Sequence, residues 1–95
     1  MPKGYIVANI RVKNAETFKG FGPLSATAVK KFKGRVLVRN PQSEQREGEA
    51  RGVSVVVEFD DVATARAFYE SVEYTAAREL RETCSDTDLI IVEGV

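Results

Sequence analysis

"GVSVVVEF", Gly52 to Phe59, is a short run rich in β-branched residues, with no proline and a glycine at its start. It reads as the strongest strand of the chain, with Val53, Val55, Val57 and Phe59 on one face and Ser54, Val56 and Glu58 on the other. Immediately after it, Asp60 and Asp61 offer a helix cap, and Ala65, Phe68, Tyr69 and Val72 recur at helical spacing. A strand followed directly by an amphipathic helix is the unit from which the remaining elements are placed.

Working outward, "GYIVANIRV", Gly4 to Val12, predicts a first strand with Ile6, Ala8, Ile10 and Val12 on one face. The other face carries Tyr5, Val7, Asn9 and Arg11. Asn14 is a good N-cap, and Phe18, Phe21, Ala28, Val29 and Phe32 fall near one helical face. Gly22-Pro23 interrupts that stretch and predicts a kink, or two short helices with Pro23 starting the second. Gly34 is placed to end the helix in the left-handed conformation. "RVLVRN", Arg35 to Asn40, is a second strand, and Pro41 to Gly52 a polar, hairpin-like excursion with a short strand at its start. Glu73 to Cys84 is a further helix ending near "SDTD", and "LIIVE", Leu89 to Glu93, is the last strand.

In "FYESVEY", Phe68 to Tyr74, three aromatics and two acids surround one serine. Phe68 and Tyr69 belong to the core stripe of one helix, while Ser71 caps the next and Glu73 meets its positive end. With no base nearby to activate it, Ser71 is a cap rather than a nucleophile. The order β-α-β-β-α-β predicts an α+β, ferredoxin-like fold with an antiparallel sheet and helices on one face. The second face needs a cover, and a second copy of the same sheet is the simplest one.

Composition bounds the function. Ninety-five residues make one domain, 1–95, which on folding buries roughly 60–65% of its unfolded surface. A monomer of that size is modestly stable, which favours oligomerisation. Fourteen basic and fourteen acidic residues leave no net charge, so the field that nucleic-acid binding requires is missing. The N-terminus alternates without a continuous apolar segment, which argues against a signal peptide or membrane span. The lone Cys84 suits the cytoplasm and reads as a small buried group near a helix end. The chain has no histidine and no tryptophan, which excludes Ser-His and Cys-His pairs and histidine-held zinc or haem. No metal site and no cofactor are expected. Any chemistry must use carboxylates, tyrosine, lysine and arginine.

End to end, the chain resembles the domain-of-unknown-function family 1330 (DUF1330), of the dimeric α+β barrel superfamily. The resemblance rests on "KGY" at Lys3 to Tyr5, "GRVLVR" at Gly34 to Arg39, "VVEF" at Val56 to Phe59, "FYESVEY" at Phe68 to Tyr74 and "DLIIVEG" at Asp88 to Gly94. The family usually reads glycine-glycine-arginine at Lys33-Gly34-Arg35, arginine-glycine-glycine at Arg39-Asn40-Pro41 and serine-proline-glutamate-tyrosine at Ser71-Val72-Glu73-Tyr74. These departures touch local turn geometry, not the fold. The resemblance implies a dimeric α+β barrel in which the sheet of one protomer pairs with its partner's. It implies no activity. Superfamily relatives include cofactor-independent monooxygenases, haem-degrading enzymes, lactone isomerases and stress-response proteins, and fold alone transfers none of these functions.

Two sets of residues are candidates for binding. Strict alternation puts Asn9, Arg39 and Glu58 together on the face away from the helices. There Glu58 is the one candidate base and Arg39 the anchor for a small anionic substrate. The favoured ordinary reading is a structural Arg39–Glu58 ion pair with Asn9 bonded to backbone. On the last helix Tyr74, Arg78 and Arg81 form a polar stripe able to line a pocket mouth for a carboxylate or phosphate. Its favoured ordinary reading is a solvated or dimer-facing edge with Arg78 near Glu82. Two functions follow: a small-molecule binder or enzyme with a pocket in each protomer of a homodimer, or a non-catalytic dimerisation and interaction domain.

Overall fold

The computed structural model describes residues 2–49 and 51–95. The elements run β1 (Gly4–Val12), α1 (Ala15–Phe18), α2 (Phe21–Lys31), β2 (Arg35–Asn40), β3 (Val53–Phe59), α3 (Val62–Glu70), α4 (Val72–Cys84) and β4 (Ser85–Glu93). Four strands form one antiparallel sheet in the order β2-β3-β1-β4, and the helices cover one face, as the ferredoxin-like pattern requires. Along β1 the side chains alternate, with Ile6, Ala8 and Ile10 buried beneath the helices. Those residues meet Val57 and Phe59 of β3 and Phe68, Tyr74 and Ala77 of the helices, while Phe68 packs at 4.8 Å from Phe59 and 4.5 Å from Tyr74 between ring centres.

The helix punctuation follows from side-chain chemistry. Asn14 and Asp61 accept from the backbone N–H three residues on, as N-caps do. Pro23 sits in the first turn of α2, where a missing donor costs nothing, so the chain makes two helices rather than one kinked one. Ser71 serves both neighbours: its hydroxyl accepts from Tyr74 N at 3.1 Å and donates to Phe68 O at 2.7 Å. Glu73 in the first turn of α4 holds Lys31 at 2.7 Å. Replacing Ser71 by Ala is expected to cost about 1 kcal/mol, and by Gly only a few tenths, through the lost cap. Chemical denaturation of the two variants checks this, and an unchanged midpoint for Ser71→Ala contradicts it.

Three expectations change. Lys33, not Gly34, takes the left-handed conformation (φ 58°), because the end of α2 closes with Lys33 N–H to Lys30 O and Gly34 N–H to Val29 O. Gly34 lacks a side chain for another reason: a Cβ there would stand 2.7 Å from the Phe59 ring. The last strand begins at Ser85, not Leu89, because "SDTD" continues the ladder with β1 as far as Val12 opposite Ser85. Its acids then face cations across the sheet, Asp88 with Arg11 and Asp86 with Lys13, both at 3.2 Å. Finally, the Pro41–Gly52 connection contains no short strand among its described residues, while its Ala50 lies outside them.

A fourth difference relocates a candidate residue. The pairing of β2 with β3 runs Arg35 to Glu58 and Val36 to Val57, then resumes at Val38 to Val56 and Arg39 to Val55. Leu37 is therefore the extra residue of a β-bulge, and every side chain after it changes face. Arg39 joins Val55 and Ala8 on the helix side. It is not opposite the helices with Glu58, as strict alternation placed it.

Candidate functional site

The sheet face away from the helices carries a closed polar network rather than an open site. Glu58, with its side chain only 16% exposed, accepts from Tyr5 Oη at 3.0 Å and from Arg35 Nε at 2.9 Å, with a second contact from Arg35 Nη2. The ion pair expected between Glu58 and Arg39 is thus made by Arg35, the partner that the bulge leaves in register. Asn9 donates to Ser54 Oγ at 3.2 Å rather than to backbone. The Arg35 hydrogen bonds, and then that of Tyr5, hold the Glu58 carboxyl below the usual carboxylate range. A carboxylate stabilised in its charged form is a poor proton acceptor, so the geometry gives Glu58 no advantage as a base.

The sign of the linkage is fixed by that direction. A folded-state pKa below the unfolded value makes Glu58 stabilising above the unfolded pKa, and this contribution disappears as pH falls through the folded one. Glu58→Gln is therefore expected to flatten the acid limb of the stability–pH profile below about pH 4.5, the ordinary carboxylate value. Urea titrations of both proteins between neutral and acidic pH check it. Identical acid limbs would remove Glu58 as a source of that dependence.

The helix side holds a different constellation. Between the sheet and α2 and α4 lies an apolar slot of about 50 Å³, whose walls include Ala8, Val29, Val57, Phe68 and Leu89. It adjoins a polar chamber of about 410 Å³ at the edge between α4 and β4, and Arg81, Thr87 and Leu89 line both. The chamber also takes in Tyr69, Arg78, Glu82 and Asp86. At the opposite end the slot reaches Arg39, which also borders an apolar chamber of about 330 Å³ against α1 and α2. Arg39, Tyr74 and Arg81 therefore share one cleft, Arg78 lies in its polar part, and Asn9 and Glu58 are on the far side of the sheet.

Arg81 is the unusual member. The residue is 4% exposed, yet among the described residues it takes part in no ion pair, and its Nε has no hydrogen-bond partner. Its guanidinium stands 5.8 Å from the Phe21 ring centre, and it projects from the last turn of α4, where the helix end favours a cation. Neither contact supplies a counter-charge. Thr87 Oγ1, lining the same two spaces, is also buried without a partner. Arg78, in contrast, pairs with Glu82 at 3.1 Å and lies over Tyr69, although its Nε is unpartnered too. Burial pushes the Tyr74 phenol above its ordinary pKa, with the Arg81 guanidinium pulling part of that back, so Tyr74 is a neutral donor. Buried polar groups ordinarily find partners, and Arg78 Nε, Arg81 Nε and Thr87 Oγ1 stand without one about a single cleft. The expectation of a solvated or dimer-facing edge fails for Tyr74 and Arg81, each 4% exposed within the protomer, because α4 turns that side of the helix toward the sheet.

Thr87 falls in "SDTD", the stretch the sequence pattern leaves between the last helix and a strand starting at Leu89. The period-two pattern was nevertheless present, with Ser85, Thr87, Leu89 and Ile91 on one side and Asp86, Asp88 and Ile90 on the other. Among the described residues no cluster of His, Cys, Asp and Glu could hold a metal ion. No helix among them is long and apolar enough to cross a membrane.

Comparison with known proteins reaches the same fold. A protein of unknown function from Rhodopseudomonas palustris superposes with a TM-score of 0.79 at 16% identity, covering 99% of this chain and 83% of that one. SnoaB, a cofactor-independent oxygenase from Streptomyces nogalater, gives 0.71 at 10% identity, with 97% and 92% covered. A dimeric protein of unknown function and ferredoxin-like fold from Bacteroides fragilis gives 0.65 at 11% identity, with 96% and 95% covered. At such identities the likeness is one of fold. No curated protein matches the sequence. The family model described as "Domain of unknown function (DUF1330)" matches residues 3–95.

Proposed function

We propose that this chain, which belongs to the DUF1330 family, binds a small organic anion in the cleft between its sheet and its helices. The observation that carries the proposal is Arg81: a guanidinium 4% exposed, without a carboxylate partner among the described residues, facing a cleft. Burying an uncompensated charge is expensive, and an anionic ligand supplies the missing partner. A carboxylate suits the planar guanidinium, which can meet both of its oxygens. Thr87 and Tyr74 offer neutral donors beside it, and Arg39 closes the far end of the slot. The likeness to a cofactor-independent oxygenase supports a small-molecule cleft in this fold, while the absence of histidine limits the chemistry this chain can perform on what it binds.

The same proposal includes a homodimer through the exposed sheet face, supported by the dimeric Bacteroides fragilis neighbour. Such an assembly places one cleft in each protomer, and it fits a cytoplasmic protein with a single buried cysteine. The test of the anion reading is direct. Acetate titrated at constant ionic strength is expected to move the Arg81 Nε–H resonance saturably, and chloride is not. An Nε–H signal indifferent to acetate would sink the proposal.

A further inference from the structure

Resting on that reading of the cleft, we infer that the ligand is a short-chain aliphatic monocarboxylate, its carboxylate at Arg81 and Thr87 and its hydrocarbon chain in the adjoining slot. Charge sets the first half of the class. Around the polar chamber, Arg78 is held by Glu82 and Asp86 by Lys13, so among the described residues Arg81 is the lining cation without a counter-ion. One negative charge neutralises it. A second would stand beside the carboxylates of Glu82 and Asp86, or would have to cross a slot whose walls are mostly apolar before meeting Arg39 at its far end, so a short dicarboxylate such as succinate is disfavoured.

Shape sets the second half. Arg81 and Thr87 stand where the polar chamber meets the slot, so a carboxylate bound to both points its chain past Leu89 toward Ala8 and Val57. The slot, at about 50 Å³, is well below the roughly 150 Å³ of an apolar cavity that accepts benzene. A chain of a few methylenes fits where an aromatic ring does not. Each buried methylene is worth about fourfold in affinity, until the slot is full.

Calorimetric titration of the wild-type protein with acetate, propanoate, butanoate, hexanoate, succinate and benzoate tests this, with the Arg81 Nε–H resonance followed in parallel. Expected is a rise in affinity of about fourfold per methylene from acetate to butanoate, flattening by hexanoate. Succinate and benzoate should bind more weakly than butanoate. Equal affinities across the series, or benzoate or succinate binding as tightly as butanoate, would overturn the aliphatic monocarboxylate class. The anion cleft would stand if those acids still moved the Arg81 signal. If no acid moved it, both inferences would fall together.

Discussion

Replacing Arg81 by methionine is expected to raise the melting temperature of the ligand-free protein while eliminating its response to carboxylates. Most large-to-different substitutions at a residue 4% exposed destabilise, so the sign is the informative part. Arginine here keeps a charge out of water without an ion-pair partner, and its Nε makes no hydrogen bond. The aromatic face of Phe21 returns roughly 0.5–2 kcal/mol and the helix terminus roughly 0.3–1 kcal/mol, less than a desolvated cation costs. Methionine is of similar length, unbranched and adaptable, and it can fill the same space against Phe21 and Leu89 without that cost. The expected gain is about 1–2 kcal/mol, or roughly 5–15 °C for a domain of this size. Wild-type protein held at about 100 times the dissociation constant of its ligand should gain about 2.7 kcal/mol, and Arg81→Met none of it. The two proteins are therefore expected to exchange rank in a thermal scan when ligand is added. A loss of stability in Arg81→Met would mean that the guanidinium is a structural cation, and retained carboxylate affinity would move the binding site elsewhere.

The contrast between Arg81 and Arg39 shows what sequence patterns transmit. Period-two and helical spacing placed the strands, the capped helices and the core stripe of Phe68 and Tyr69, because those features depend on near neighbours along the chain. Which face of a strand a residue occupies depends on counting from a fixed register, and one bulge at Leu37 reverses the count for Arg39. No composition cue at "RVLVRN" marks the bulge, since valine and leucine suit either register. The acid–base pair itself was nearly found: a cation opposite Glu58 was expected, and Arg35 in place of Arg39 fills that role. For Tyr74, Arg78 and Arg81 the helical spacing was correct, but the rotation of α4 about its axis was not fixed by it. Aromatic packing of Tyr74 against Phe68 and Tyr69 sets that rotation, and so turns Arg81 inward.

The open sheet face yields the last expected result: Ile90→Asp should convert a dimer into a folded monomer. Four apolar side chains lie in one row across all strands of that face, Val38, Val56, Val7 and Ile90, each opposite the next in register. On one side of the row stand Arg35, Glu58 and Tyr5, and on the other Ser54 and Asn9, already bonded to one another within the protomer. Polar groups already bonded in this way leave fewer donors and acceptors for a cover to satisfy, whereas the apolar row gains by being covered. A second copy matches it by symmetry, since a twofold interface places the same patch on both partners. A stable interface of this kind buries more than about 1,000 Å². Ile90 is 56% exposed in the protomer, so an aspartate there is hydrated and harmless in a monomer. In the dimer it becomes a buried, unpaired charge costing roughly 3–5 kcal/mol. The dissociation constant should rise by roughly a hundred- to several-thousand-fold. Light scattering reports the mass and circular dichroism the fold. A wild-type protein already monomeric at micromolar concentration, or an Ile90→Asp variant of undiminished mass, would show that something other than a second copy covers this face.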